Sequence, residues 1–291
     1  MLPFRRRGRD RPRDIVLCAD PPFEVPLAVT LASIAESCPE PRELRVTVLS
    51  DGLGGRARGR LRASASALSI TFVDIGDLVP HDLPVAGPFT RATYGRLYIT
   101  QCLPRSSTRV LYLDCDLLVR DDVRLLLRMP LRGRLAAAAR SALIPTAASD
   151  GGMPNWKQLG KTGNEAYFNT GVMVVDCARW RDAGATERVV AYAKAHADGM
   201  PLPDQDAINA VVGREILEAP LRWNQERALR TGQHRLAGVL GEAEIHRAID
   251  DPAIIHFTGP RKPWLPHPGD PAAHLWTDAL RRVGHPAGRY R

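Results

Sequence analysis

The stretch Arg109–Arg120, which reads RVLYLDCDLLVR, decides the fold, because apolar residues flank two aspartates on both sides. Runs this apolar are typical of a strand buried on both faces of a largely parallel sheet. An unpaired buried charge is very costly, so Asp114 and Asp116 need a partner there. Residues i and i+2 of a strand point to the same side, so both carboxylates can hold one cation, and Mg²⁺ or Mn²⁺ suits such oxygen ligands. The alternative is that the aspartates cap a turn or pair with arginines.

Strands and helices alternate through the N-terminal part of the chain. Apolar runs predict strands at 14–19, 44–49 and 70–75, and helical spacing predicts helices at 26–37 and 56–68. This β-α-β-α-β order predicts a parallel, Rossmann-like half, in which ligands gather at the carboxyl ends of the strands. Asp20, which follows the first strand, is therefore a candidate nucleotide contact. No Gly-rich phosphate loop follows that strand, which disfavours a dinucleotide.

The remaining sequence continues the alternation. Further strands are predicted at 135–139, 167–176, 216–221 and 253–257, and further helices at 90–101, 121–128, 178–198, from Asp204 onward and at 272–283. Residues 141–165 predict a long loop of the kind that often forms a functional lid. We predict one α/β domain over 14–264, a basic and disordered tail over 1–13, and a small helical C-terminal extension over 265–291.

Composition and charge narrow the class of protein. Of 291 residues, 44% are hydrophobic and 25% are charged, as in ordinary globular proteins, and the net charge of +8 suits anionic partners. Five scattered cysteines indicate thiols in a reducing compartment. No apolar run resembles a secretory signal or a membrane span. We predict a cytoplasmic protein that binds no nucleic acid and has at most peripheral membrane contact, and self-association stays open.

Four stretches combine into a family pattern. They read CADPPF at 18–23, YLDCDLLV at 112–119, FNTGVMVVD with LPDQDAIN at 168–176 and 202–209, and IIHFTGPRKPW at 254–264. In this order and at these separations they resemble glycosyltransferase family 8, which includes bacterial lipopolysaccharide α-galactosyl- and α-glucosyltransferases and glycogenin. The resemblance covers about residues 14–264. It implies a GT-A-type, Rossmann-like mixed sheet flanked by helices, and transfer of a hexosyl group from a UDP-sugar with retention of configuration and Mn²⁺ or Mg²⁺.

The resemblance also implies roles for the charged residues of these stretches. Asp114, Asp116 and His256 match the family's metal ligands, and an imidazole beside carboxylates suits manganese. Lys262 matches a lysine that contacts the diphosphate, and Arg96 an arginine that contacts donor phosphate or sugar. Read without the resemblance, His256 is a core histidine, Lys262 a surface lysine, and Arg96 one of 36 arginines.

Further residues are assigned to the donor by the same resemblance. Asp20 matches a uracil-contacting aspartate, and Phe23 stands where the family often has a tyrosine that stacks on the base, although Pro22 replaces the asparagine often found before it. The positions around the donor include Cys115, Asn169, Thr170, Asp204 and Gln205. As purely structural features, Asn169-Thr170-Gly171 is a turn and Asp204 is a helix N-cap.

The same stretches lead to assignments for the mechanism, the acceptor and the class of protein. We assign catalytic roles to Gln205, Asp204 and Arg96, and we favour front-face attack because the neutral amide of Gln205 is a weak nucleophile. Arg140 lies where many family members carry a carboxylate, which favours an anionic or unusual acceptor among small molecules, lipid-linked sugars and glycans. The alternatives are a nucleotidyltransferase and a non-catalytic protein that binds anionic ligands.

Overall fold

A computed structural model describes residues 13–84, 90–197, 200–267 and 269–284. The predicted disordered tail lies outside the described residues, except for Arg13. The strands are β1 (Asp14–Ala19), β2 (Arg45–Ser50), β3 (Ser69–Asp74), β4 (Arg109–Leu113), β5 (Leu117–Val119), β6 (Ala136–Arg140), β7 (Phe168–Asp176), β8 (Ile216–Ala219), β9 (Gln225–Glu226) and β10 (Ile254–His256). The α-helices are α1 (Glu24–Ser37), α2 (Gly55–Ser64), α3 (Ile99–Cys102), α4 (Val123–Leu127), α5 (Cys177–Asp182), α6 (Ala185–Ala195), α7 (Pro203–Val212), α8 (Arg227–Arg230), α9 (Glu242–Asp250) and α10 (Ala273–Val283).

Two sheets organise the described residues. The larger one has seven strands in the order β3-β2-β1-β4-β7-β6-β8. Its first four strands run parallel, while β7 is antiparallel to both β4 and β6. The smaller sheet has the order β5-β10-β9, and its strand β5 directly follows β4 in the chain. The larger sheet is therefore mixed, as the family resemblance implies, and its parallel strands β1, β2 and β3 form the predicted parallel half.

Alternate residues of β4 enter different hydrophobic cores. Leu111 and Leu113 pack in the core that contains α1 and α2, while Val110 and Tyr112 pack in the core that contains α5, α6 and α7. All four side chains are at most 1% exposed. The apolar run preceding the aspartates is thus a strand covered on both faces, and each such side chain stabilises the fold by about 1.5–3 kcal/mol.

The prediction of one strand through Asp114 and Asp116 is wrong. The chain leaves the large sheet after Leu113 and enters the small sheet at Leu117. Buried hydroxyl groups of α1 stabilise this break, because Thr30 Oγ1 lies 2.8 Å from the Cys115 carbonyl oxygen and Ser33 Oγ accepts from the Val119 N–H at 3.0 Å. Polar side chains of a neighbouring helix thus replace the strand ladder, an arrangement that a local pattern does not reveal.

Other differences concern helices. The predicted helix at 90–101 is a 3-10 segment, Arg91–Tyr98, followed by α3, and the predicted helix at 178–198 is divided into α5 and α6 at Gly184, whose φ is 56°. Asp204 is not an N-cap, because Pro203 already occupies the first turn of α7. The short elements α8, α9 and β9 escaped prediction. No helix among the described residues is long and apolar enough to span a membrane.

Candidate active site

Two carboxylates and an imidazole converge where β4, β5 and β10 meet. Antiparallel pairing of β5 with β10 places His256 opposite Leu117, directly beside Asp116. His256 Nε2 lies 3.2 Å from Asp116 Oδ1 and 3.8 Å from Asp114 Oδ2. One ligand atom from each of the three residues lies within 4.8 Å of the other two. This spacing fits a single cation.

Lys262 supplies a positive charge at the same point. Its ammonium donates to Asp116 Oδ2 at 2.5 Å and to the Phe257 carbonyl at 2.8 Å. Burial alone would raise the pKa of Asp116, but the ammonium of Lys262 and the adjacent ring of His256 outweigh it and hold this pKa well below its usual range. Asp116 is therefore an anion that is ready to bind a cation.

Gly171 leaves the space between the aspartate and the imidazole. It belongs to β7, and its carbonyl accepts from the Asp114 N–H at 2.8 Å. A Cβ atom at this position would lie 2.5 Å from Asp114 Oδ2 and closer still to His256 Cε1. The structural interpretation of Asn169-Thr170-Gly171 as a turn is wrong, since these residues extend a strand that pairs with β4. Gly171 lies within the stretch FNTGVMVVD, but the sequence alone does not predict that its missing side chain makes room for the cluster.

Arg96 connects two acidic residues. Its Nη2 donates to Asp114 Oδ1 at 2.8 Å. Its Nε donates to the Thr93 carbonyl and also lies 3.0 Å from Asp204 Oδ2, which is close enough for an ion pair. Nη1 donates to Thr170 Oγ1 at 2.9 Å. Burial would lower the pKa of Arg96, but Asp114 and Asp204 raise it above its usual value. The guanidinium thus holds both carboxylates in place. The fully buried Thr170 hydroxyl holds the guanidinium in turn by accepting its hydrogen bond.

The first turn of α7 carries three polar residues with different surroundings. Burial raises the pKa of Asp204 to about 6, although Arg96 opposes the shift. Gln205 Oε1 accepts from the Thr170 N–H at 3.1 Å. Asp206 accepts from the Leu202 N–H at 2.8 Å and from the Tyr167 hydroxyl. It lies outside the wall of a pocket of about 390 Å³ that Asp204 and Gln205 help to form. Only the first two therefore face the pocket.

That wall does not include Asp20, Phe23 or Cys115, although the resemblance assigns all three to the nucleotide donor. Asp20 Oδ2 accepts from Thr90 Oγ1 at 2.8 Å, while the buried Oδ1 has no hydrogen-bond partner among the described residues. The ring of Phe23 meets that of Trp264 edge to face, with centroids 6.2 Å apart. Cys115 is buried, its thiol donates to the Cys18 carbonyl at 3.0 Å, and burial raises its pKa well above the usual value. Its side chain therefore belongs to the core.

A pocket of about 390 Å³ joins most of the predicted residues. Its wall includes Arg96, Asp114, Asp116, Asn169, Asp204, Gln205, His256 and Lys262. Residues that sequence reasoning did not single out complete it, including Glu226 and the loop residues Ser141, Leu143 and Ile144. The predicted long loop thus contributes to the site.

Glu226 is a buried carboxylate of the pocket wall that sequence reasoning missed. Its Oε1 accepts from the Ala142 N–H at 2.6 Å, and burial raises its pKa. The preceding residues, Trp223-Asn224-Gln225, carried no recognised pattern. In contrast, Arg140 forms a two-pronged ion pair with Glu218, with distances of 2.9 and 2.8 Å. Arg140 is thereby neutralised, so the interpretation that it favours an anionic acceptor is not supported.

Comparisons with known proteins agree on one family. The family model described as Glycosyl transferase family 8 matches residues 14–267. General stress protein A of Bacillus subtilis (strain 168) is 28% identical over 261 residues, covering 88% of each chain. Lipopolysaccharide 1,2-glucosyltransferase of Escherichia coli (strain K12) is 28% identical over 202 residues, and the match covers 69% of this chain and 57% of that protein.

A solved structure shows the same fold. The crystal structure of the galactosyltransferase LgtC, in complex with donor and acceptor sugar analogues, matches with a TM-score of 0.80 at 24% identity. The match covers 92% of this chain and 95% of that one. The predicted GT-A-type α/β fold, with a mixed sheet flanked by helices, is confirmed.

Proposed function

Since the chain belongs to glycosyl transferase family 8 and is therefore a glycosyltransferase, we propose that it moves a hexosyl group from a UDP-sugar to an acceptor hydroxyl with retention of configuration and with Mn²⁺ or Mg²⁺. Family membership favours this function over the two alternatives, a nucleotidyltransferase and a non-catalytic binding protein. The acceptor is a small molecule, a lipid-linked sugar or a glycan. A cytoplasmic location stays a prediction.

The observation that carries the proposal is the cluster of Asp114, Asp116 and His256. Two carboxylates and one imidazole form a donor set that suits Mn²⁺, and Gly171 keeps the space between them open. A divalent ion bound there would act as a Lewis acid and stabilise the negative charge that develops on the leaving diphosphate. The nearby ammonium of Lys262 supplies a second positive charge for the same phosphate oxygens.

The residues at the start of α7 support front-face attack. A double displacement needs a free nucleophile below the sugar, but Gln205 is neutral and its Oε1 already accepts a backbone hydrogen bond. Asp204 is paired with Arg96, and Asp206 is hydrogen-bonded outside the pocket. In front-face attack the acceptor hydroxyl bonds to the anomeric carbon as the bond to the phosphate oxygen breaks, and its proton passes to that oxygen. Arg96 keeps Asp204 in place on the wall of the pocket.

The proposed preference for uridine is supported by Asp20, the residue that follows β1. Asp20 Oδ1 is a buried acceptor without a partner among the described residues, and such an atom is stabilised when a donor reaches it. The N3–H of uracil is a donor of the required kind. Phe23 follows on the same turn and offers an aromatic surface.

The test measures release of the nucleoside diphosphate from UDP-, GDP- and dTDP-hexoses with Mn²⁺, Mg²⁺ or a chelator. We expect release of UDP from one or more UDP-hexoses, and only with a metal. Asp116→Ala removes a proposed ligand and should abolish turnover while circular dichroism stays unchanged. Asp278→Ala, at an exposed carboxylate of α10, is the matched control and should remain active. Equal release in the presence of chelator would disprove the metal role.

A further inference from the structure

A chain of hydrogen bonds runs from the backbone of β7 to the imidazole of His256. The N–H of Gly171 donates to Asn169 Oδ1 at 3.0 Å, and Asn224 Nδ2 donates to the same oxygen at 2.9 Å. Asn224 Oδ1 lies 2.8 Å from His256 Nδ1. Asn224 is 1% exposed and His256 is 3% exposed, so water does not compete for these groups.

The backbone determines the direction of every bond in this chain. An N–H of the main chain can only donate, so the Asn169 atom beside Gly171 must be the carbonyl oxygen. The Asn224 atom that faces this oxygen must then be the amide nitrogen. Its carbonyl oxygen consequently faces His256, which must present Nδ1 with a proton. The remaining ring nitrogen, Nε2, points at Asp114 and Asp116.

We propose that Asn224 is a positioning residue that keeps the proton of His256 on Nδ1 and so reserves Nε2 for the cation. A neutral imidazole carries one proton, and it can bind a metal only through the bare nitrogen. Without an acceptor at Nδ1, the ring can rotate or place its proton on Nε2, where it hydrogen-bonds to Asp116 and excludes the cation. The inference rests on the proposed function, because it takes the Asp-Asp-His cluster as a metal site.

Loss of the hydrogen-bond partner of a metal-binding histidine has a known range of effects on metal affinity. Groups that hydrogen-bond the second nitrogen of a metal-binding histidine typically change metal affinity by roughly 10–100-fold when they are removed. Asn224→Leu removes the acceptor at nearly constant volume. Asn169 Oδ1 keeps its bond from Gly171 in that variant, so one buried acceptor remains satisfied.

The experiment titrates the metal-free full chain with Mn²⁺ alone and follows free Mn²⁺ by electron paramagnetic resonance. Asn224→Leu should weaken binding by roughly 10-fold or more. Asn224→Gln retains both an amide N–H for Asn169 Oδ1 and a carbonyl oxygen for Nδ1, and it should bind Mn²⁺ more tightly than Asn224→Leu. Asn155→Leu is the matched control, because Asn155 hydrogen-bonds Tyr192 away from the site, and its affinity should be unchanged. Circular dichroism and melting temperatures identify any variant that does not fold.

A second measurement reads the ring directly. In ¹⁵N-labelled protein with Mg²⁺ as a diamagnetic ion, His256 should show a protonated Nδ1 and a shift of Nε2 on adding the ion. In the folded Asn224→Leu variant, Nδ1 should lose its protected proton signal. Equal Mn²⁺ affinity of the natural chain and Asn224→Leu, or equal weakening by both substitutions at 224, would overturn the role of Asn224 and leave the proposed function intact. Absence of binding of both Mn²⁺ and Mg²⁺ to the natural chain would overturn both.

Discussion

At the scale of single residues, Gly171 allows a sharp test of how closely the site is packed. A methyl group there would lie 2.5 Å from Asp114 Oδ2 and closer to the ring of His256, so one of the two side chains must move. We expect Gly171→Ala to weaken Mn²⁺ binding by roughly 10-fold or more, as when ligand orientation is disturbed, and to destabilise the fold by about 1–3 kcal/mol. Calorimetric titration with Mn²⁺ and urea unfolding measure the two effects.

The control for this substitution is Gly59→Ala in α2, where nothing lies within 4 Å of an added Cβ. Alanine in an open helix position should stabilise the fold by about 0.5–1 kcal/mol and leave Mn²⁺ affinity unchanged. If Gly171→Ala bound Mn²⁺ as tightly as the natural chain, the close approach around Gly171 would not matter for the cation.

Asp206 connects burial with pH at the residue scale. Burial raises its pKa to about 6, above the unfolded value of about 3.9, so the folded state binds the proton more tightly. The stability from this group is fully present below about pH 4 and is lost as pH rises through about 6, a change of about 3 kcal/mol. We expect Asp206→Asn, whose amide can still pair with Tyr167 and the Leu202 N–H, to lack this part of the decline.

Urea unfolding of both proteins at several pH values between about 4 and 8 tests this. Asp204 has a raised pKa of the same sign, so only the difference between the natural chain and the variant isolates Asp206. Parallel stability curves for the two proteins would show that Asp206 does not titrate as its burial implies. Asp278→Asn, at an exposed position, should leave the curve unchanged.

Which residues of the site could be predicted depends on where their signal lies. Asp114, Asp116, His256 and Lys262 stand inside short, recognisable stretches, so the sequence indicates them directly. Asn224 and Glu226 acquire their surroundings from strand pairing, because β9 comes beside β10 only in the folded chain. No local pattern contains that information, and both residues were missed.

At the scale of elements, the break between β4 and β5 creates the site. A continuous strand would keep Asp114 and Asp116 in the hydrogen-bond ladder of the large sheet. The break instead places Asp116 directly before β5 of the small sheet, beside His256. The strands themselves could be predicted from apolar runs. The break could not, because it depends on the hydroxyl groups of Thr30 and Ser33, more than 80 residues away in sequence.

The small sheet is secured by a buried ion pair between α8 and the segment before α10. Arg230 pairs with Asp270 at 2.6 Å, with side chains 7% and 0% exposed, and also donates to the Gln225 and His256 carbonyls. We expect Asp270→Ala to cost about 3–5 kcal/mol in unfolding free energy, because it leaves the guanidinium buried without its counter-charge. Guanidinium chloride unfolding measures the loss.

The double variant Arg230→Met with Asp270→Ala separates this charge effect from lost packing. Removing both charges should recover part of the stability that Asp270→Ala loses, since no unpaired charge remains. A double variant less stable than Asp270→Ala would instead show that the hydrogen bonds of Arg230 to the strand carbonyls dominate. Either measurement concerns the small sheet, whose central strand β10 carries His256.

At the scale of the whole molecule, the site draws on most of the chain length. Asp20 follows β1, Arg96 lies in the 3-10 segment Arg91–Tyr98, and Asp114 follows β4. His256 and Lys262 come from the last strand and the loop after it. Ligands that bind only this assembly stabilise the folded state as a unit. The fold class could be predicted because the alternation of elements and the four stretches extend over the same 250 or so residues as the family match.

This linkage predicts that the effects of UDP and Mn²⁺ on thermal stability are coupled. In the proposed complex UDP would bring phosphate charge toward Asp114 and Asp116, and a cation between them would offset that repulsion. At 100 times its dissociation constant, UDP with Mn²⁺ should stabilise the fold by about 2.7 kcal/mol, whereas UDP with chelator should do much less. Differential scanning calorimetry measures the melting temperature in each case.

Asp116→Ala should remove the Mn²⁺-dependent part of the shift in melting temperature. GDP should give a smaller shift than UDP because the Asp20 acceptor suits uracil. Equal shifts with and without Mn²⁺ would mean that nucleotide and cation bind independently and would contradict the proposed shared site.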